Sequence, residues 1–343
     1  MTRSRLVVLA SSLVVGLGSL AAMGALYLDP ARAAVGPLPS EALALPADTT
    51  FVMGFDVKRL VQSEFYQRFG KEKGGLARPE AFAELEEKTG LNPERDVDQV
   101  VVAGKGDAAK GPGEAGIVIV SGRFDQYKIG RAIETDKKGS VTWKKHEGVT
   151  EYLFNEGKKG AGALAFIDDD TLVMGSQAAV EAVITARVQG QPRLKANAGL
   201  TALLERVKPG STFWMVGDQS LLAKLPTEMP APGSGPATGG SIQLPALQSL
   251  VVTGDLDPAL SVEAIGEARD EAAAKNLADI VRGFLALAQL QAGQKPELKE
   301  LTSAVSVATD TNKVRVSARF SYQLLASLHP KRTATTPPPP NAR

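Results

Sequence analysis

TFVMGFDVKRL, residues 50–60, is answered far along the chain by TFWMVGDQSLL, residues 212–222. Each stretch opens with a threonine, runs through apolar residues typical of a half-buried or buried strand, reaches an aspartate and has a leucine four residues later. Asp56 and Asp218 stand where a strand gives way to a helix. A carboxylate there accepts hydrogen bonds from the free N–H groups of the first helical turn and complements the helix dipole. Both aspartates are therefore read as caps rather than catalytic groups.

Three further pairs follow in the same order. VDQVVVAG, ending at Gly104, matches LQSLVVTG, ending at Gly254. GIVIVSGRFD, ending at Asp125, matches LSVEAIGEARD, ending at Asp270, and each precedes a helical stretch. LAFIDDDTLVMGS resembles VSVATDTNKVRVSARF as strand, acidic turn, strand. Four matches in one order predict an internal duplication, with a first unit over 45–190 and a second over 200–329.

Short loops between apolar strands imply antiparallel pairing, with helices covering one face. The expected class is α+β: two duplicated, mostly antiparallel sheet units with helices on one face, after an N-terminal transmembrane or signal helix. EAFAELEEKT, DQYKIGRAIE and QAAVEAVITARVQG read as amphipathic helices, and SVTWKKHE and VTEYLFNE as strands joined by a tight turn at Glu147-Gly148. DEAAAKNLADIVRGFLALAQLQAG is the longest helix. Leu277, Ile280, Val281, Phe284, Leu285 and Ala288 share one of its faces and are expected to pack on the sheet. The Pro-, Gly- and Ser-rich stretch 226–245 is expected to be a flexible loop interrupting the second unit.

The N-terminal stretch carries the export signal. Arg3 and Arg5 precede an uncharged stretch from Leu6 to Leu28, long enough to span a bilayer and oriented to leave the N-terminus in the cytoplasm. The competing reading is a signal peptide cleaved after Ala33, at the small-x-small site Ala31 to Ala33. Residues 1–33 are thus a signal anchor or signal peptide, 34–44 a linker, and 330–343 a Pro-rich tail that cannot bury a core. In either case the remainder is exported. It would be held at the periplasmic side of the cytoplasmic membrane by one anchor, or be free in the periplasm.

Composition narrows the chemistry. With 39 Lys+Arg against 38 Asp+Glu the net charge is +1, so no bulk attraction to nucleic acid follows. The chain has no cysteine, which excludes disulfides, thiolate zinc sites and a cysteine nucleophile. His146 and His329 are far apart and belong to no metal or triad spacing; both are read as exposed residues. Asp168, Asp169 and Asp170 lack the further oxygens and the bidentate glutamate of a calcium loop and are read as a turn. GKGDAAKGPG (104–113) lacks the phosphate-loop order and precedes a strand. Lys137, Lys138, Lys144, Lys145, Lys158 and Lys159 give the hairpin region a basic cast, diluted by Glu147, Glu151 and Glu156. That region is read as a solvated sheet edge. No catalytic, cofactor-binding or metal-binding residue is assigned, and no cofactor is expected.

ALPADTTFVMGFDVKRLVQSEFYQRF and FIDDDTLVMGSQAAVEAVI resemble exported proteins of uncharacterised function from myxobacteria-like bacteria, which open with Leu-Pro-Ala-Asp after an N-terminal membrane segment. The resemblance covers most of the chain after residue 43. It implies location and fold and carries no catalytic residue across. The expected function is a non-catalytic, extracytoplasmic envelope protein acting as a binding or scaffolding module. Its partners would be the membrane, through residues 6–28, and another envelope protein or an apolar ligand. Two alternatives stand beside it: a periplasmic carrier of a lipid or other apolar ligand, which requires an apolar cavity beneath the 271–292 helix, and a hydrolase without a recognisable motif.

Overall fold

The computed structural model describes residues 40–70, 79–105, 116–135, 141–156, 161–224, 228–230, 241–291 and 296–328. The expected membrane or signal segment, the tail 330–343, His329 and Lys137, Lys138, Lys158 and Lys159 lie outside these residues. Within the described residues the fold is α+β, built on a large antiparallel sheet.

The first half of the chain runs β1 (Phe51–Asp56), α1 (Val57–Gln62), α2 (Pro79–Thr89), α3 (Pro93–Asp96), β2 (Val97–Gly104), β3 (Gly116–Gly122), α4 (Gln126–Thr135), β4 (Val141–His146), β5 (Val149–Phe154), β6 (Gly162–Asp168), β7 (Thr171–Gly175), α5 (Gln177–Val188) and α6 (Ala198–Leu204). The second half runs β8 (Phe213–Asp218), α7 (Gln219–Leu222), β9 (Glu228–Pro230), β10 (Ser241–Gln243), β11 (Leu247–Asp255), β12 (Leu260–Ala268), α8 (Glu271–Gln291), α9 (Pro296–Ser303), β13 (Val305–Asp310), β14 (Lys313–Phe320) and α10 (Tyr322–Leu328). A 12-stranded sheet has the order β13-β14-β12-β11-β8-β1-β2-β3-β7-β6-β5-β4. β9 and β10 form a separate ribbon within the stretch expected to be a loop.

The two opening strands meet in the middle of this sheet. β1 pairs antiparallel with β8, Met53 opposite Met215 and Phe55 opposite Phe213, whose rings stack at 6.1 Å. Two long-range backbone bonds close the joint: Asp56 N–H donates to the Thr212 carbonyl at 2.8 Å, and Asp218 N–H donates to the Thr50 carbonyl at 3.0 Å. Outward from it the registers correspond. Phe51 faces Gly104 as Phe213 faces Gly254. Gly104 faces Gly116 as Gly254 faces Val262, and Ile117 faces Gly175 as Glu263 faces Ser317.

Local chemistry fixes the element ends. The Asp56 carboxylate accepts from Arg59 N–H, and that of Asp218 from Ser220 and Leu221 N–H, so both aspartates cap helices as expected. Ser176 caps α5, and Asp270 caps α8 through Ala273 N–H. Glu147 (φ 47°) and Gly148 (φ 87°) form the two-residue turn between β4 and β5, the left-handed pair that matches strand twist.

The expectation of helices on one face is corrected in the first half. Neighbouring residues of a strand point to opposite faces, and here both faces are buried. Val100, Val118 and Val120 meet Ile129 and Ile133 of α4 on one side. Val101, Ile117 and Ile119 meet Val180, Val183 and Ile184 of α5 on the other. This explains why β2 and β3 read as nearly continuous apolar runs rather than alternating ones. In the second half α8 packs through Ala274 and Ala278 onto Ala268 and Val314, on the same side of the sheet as α4. The face of β12 and β14 away from α8 carries Ser261, Glu263, Glu267, Arg315, Ser317 and Arg319, with Arg315 and Arg319 exposed.

Two glycines make the central packing possible. A side chain at Gly54 would meet the Trp214 indole at 2.3 Å, and one at Gly254 would meet the Phe213 ring at 1.9 Å. Both rings occupy the space that a side chain on the glycine of the neighbouring strand would fill. Gly54→Val must displace the buried Trp214 and is expected to cost about 2–4 kcal/mol. Chemical denaturation followed by tryptophan fluorescence measures it; a change under 0.5 kcal/mol would contradict this packing.

Candidate binding surface and a buried carboxylate

The polar face of the second half is ordered around one carboxylate. Glu263 points inward on β12 and is 7% exposed. Lys208, in the turn leading into β8, lies 2.6 Å from one of its oxygens, and Arg315 of β14 binds the other. Burial pushes the Glu263 carboxyl up, but hydrogen bonds from Lys208 and Arg315 outweigh burial and hold it below the usual glutamate range. Nearby, Glu267 accepts from Arg206 at 3.0 Å and from Asn312 at 3.3 Å, and Thr212 donates to Asp255 at 2.9 Å. The result is a pre-arranged polar lattice on a rigid sheet, flanked by the exposed Arg315 and Arg319.

The depressed Glu263 carboxyl stabilises the fold above the ordinary glutamate range, and that contribution disappears as pH falls through its lowered folded value. Glu263→Gln should therefore lower the melting temperature at pH 7 and lose most of that difference near pH 2. Melting curves at the two pH values check this; an equal difference at both would remove the ionic account.

A second buried acid behaves in the opposite way. Glu151 of β5 has a fully buried side chain, and neither carboxylate oxygen has a hydrogen-bond donor among the described residues. Lys144 on β4, directly opposite, is 3.6 Å away but is drawn to Glu181 of α5 at 2.6 Å. Burial, aided by the Glu181 charge, pushes the Glu151 carboxyl up, and Lys144 offsets only part of this. Hydrogen bonds from Gln177 and Lys144 hold Glu181 down. Two carboxyls driven apart in this way resemble an acid/base pair, but Glu151 has no surface through which a substrate could reach it.

Because Glu151 holds its proton more tightly folded than unfolded, its contribution to stability falls as pH rises from the ordinary glutamate value through the raised one. Glu151→Gln is expected to stabilise the protein by about 1–3 kcal/mol at pH 7 and by little at pH 4. Unfolding free energies at both pH values decide it; a destabilised variant at pH 7 would show that Glu151 is held as a paired anion.

The residues considered from the sequence are dispersed. His146 is half-buried rather than exposed: its Nε2 lies 2.9 Å from Thr185 Oγ1 on α5, and Thr185 donates to Glu147. Asp168 pairs with Arg187 at 3.0 Å and Asp169 accepts from Gln126, so the acidic turn ties β6 to α5 and α4. Among the described residues no three His, Asp or Glu side chains converge to hold a metal ion, and no helix is long and apolar enough to cross a membrane. A concavity of about 460 Å³ opens beside the start of α4, with Gln126, Tyr127, Thr150, Tyr152 and Phe166 in its lining. It lies in the half of the sheet away from α8, so it is not the cavity the carrier reading requires.

Glu151 and Glu263 carry the perturbed chemistry; the sequence reading takes Glu151 as a charge on a solvated edge, which its full burial corrects, and does not single out Glu263. For Glu151 the signal was present, since Val149 and Leu153 lie two positions away on either side; for Glu263 it was weaker, with Ile265 apolar but Ser261 polar. Apolar residues at that spacing assign a glutamate to an inward strand face. Comparison with family models, with curated proteins and with solved structures returns no match.

Proposed function

We propose that the chain is a non-catalytic, extracytoplasmic binding or scaffolding module of a bacterial envelope, tethered through residues 6–28 and built from two copies of one α+β unit. The duplication is supported by the registers around β1 and β8, where equivalent residues of the two motifs, Asp56 with Asp218 and Thr50 with Thr212, exchange equivalent backbone bonds. The binding role rests on one observation above all. The first half of the sheet is covered by helices on both faces, whereas among the described residues the β12–β14 face opposite α8 leaves Arg315 and Arg319 exposed and carries an ordered charge lattice around the buried Glu263.

A rigid sheet face with fixed, partly neutralised charges suits a polar macromolecular partner rather than a small substrate. Such charges set orientation and association rate more than affinity. A photo-cross-linking residue at Arg319 in the full-length chain, expressed in its host, is expected to capture an envelope component. The same residue at Val188, exposed on the α5 side, is expected to capture none. Equal products from both positions, or none from Arg319, would count against the open face as the docking surface.

A further inference from the structure

The two edges of the large sheet are protected very differently. β4, at one end, carries Lys144, Lys145 and His146, with Lys144 and His146 tied to α5. Charges of this kind discourage edge-to-edge pairing. β13, at the other end, reads VSVATD: no proline, no lysine, and no charge before Asp310.

Which backbone groups β13 leaves free follows from its ladder. Arg319 N–H donates to the Ala304 carbonyl, so Ala304, Ser306 and Ala308 direct their backbone groups toward β14. Residues alternate along an antiparallel pair, and Val305, Val307 and Thr309 therefore direct theirs outward. One of those outward groups already has a side-chain partner: the Arg282 guanidinium of α8 donates to the Val307 carbonyl at 3.2 Å. That bond also locates α8, because it brings the helix to the free edge at residue 282.

Beyond that point the helix changes character. From Gly283 to Gln291 it has no charged residue. Ile280, Val281, Phe284, Leu285 and Ala288, expected from the sequence to be core, are only half-buried, and Leu290 is 79% exposed. An uncharged strand edge and a half-covered apolar helix thus lie side by side.

We propose that this edge is the interface with a second copy of the chain, β13 pairing antiparallel with its counterpart about a two-fold axis perpendicular to the sheet. Such an axis keeps each face of the sheet on the same side, so the two α8 helices come together at the joint and bury each other's open stripes. Val305, Val307 and Thr309 all face α8. Keeping that face aligned sets Val307 against Val307 of the second copy, with Val305 against Thr309, or a register shifted by two residues. Among the strand residues no like charges meet in the first arrangement. The contact is isologous, so it closes at two chains. The chain contains the same kind of joint internally, where β1 and β8 pair antiparallel with Met53 opposite Met215 and stack Phe55 on Phe213 on one face. Arg282 would leave the Val307 carbonyl as the pair forms.

The test uses the full-length chain in mild detergent at micromolar concentration. Native mass spectrometry is expected to give two chains per particle. Thr309→Pro removes one outward N–H and no bond to β14, and should weaken the dimer tenfold or more. Ala308→Lys, on an exposed position, should do the same and guards against a proline variant that fails to fold. Because the chain lacks cysteine, Ala308→Cys with a short bismaleimide should yield covalent dimers, while Thr142→Cys on the β4 edge should not. One chain per particle at every concentration overturns the proposal. So does a dimer that survives both edge substitutions, and so does a failure of Ala308→Cys to give covalent dimers under conditions where two chains per particle are seen.

Discussion

The pairing of β1 with β8 is the constraint on which the rest of the structure depends. It is a contact between segments more than 150 residues apart, closed by the two bonds between Asp56 and Thr212 and between Asp218 and Thr50. Without it each half would end in a strand with a row of free backbone groups, the arrangement that proteins otherwise protect or bury. With it, Phe55 and Phe213 stack, and one apolar core runs from Val118 in the first half to Leu260 and Phe320 in the second. The same two aspartates then turn the chain into α1 and α7, so strand pairing and helix initiation are fixed by neighbouring atoms of one residue.

The halves differ in what they do with the sheet they share. The first spends its helices on both faces and adds the β4–β5 hairpin at its outer edge. The second places α8, α9 and α10 on one side and leaves Arg315 and Arg319 exposed around the buried Glu263 on the other. Buried charge follows the same division. Glu151 is enclosed with a weak partner and pushed toward its neutral form, whereas Glu263, nearly as deep, has two cations and stays ionised. Depth alone does not decide ionisation; the number and distance of donors does.

Much of this architecture was legible in the sequence. The aspartate caps, the Glu147-Gly148 turn and the strands expected near 97–103 and 116–124 follow from local patterns that tertiary contacts leave unchanged. The number of covered faces was not legible. A strand buried on both sides loses its period of two, and VVVAG or GIVIV gives no hint of which side a helix will take. Nor was the α8 stripe. Its spacing marks Ile280, Val281, Phe284 and Leu285 as one face, but spacing cannot reveal that the sheet ends beneath that face. The perturbed carboxylates were missed for a related reason: a single glutamate in a strand looks like its outward side until the neighbours two residues away are read with it. The acidic turn at Asp168 and the half-buried His146 were noticed, and their contacts tie elements together without converging on one site.

The central claim is that the sheet is one cooperative body organised from the β1–β8 joint. Native-state hydrogen exchange on the full-length chain tests it most directly. Amides of β1 and β8, including those of Asp56 and Asp218, are expected to exchange only through global unfolding, with the same free energy as those of β3 and β12. If β1 and β8 instead exchanged early, while β2–β3 and β11–β12 stayed protected, the halves would be independent bodies and the joint a late, weak contact.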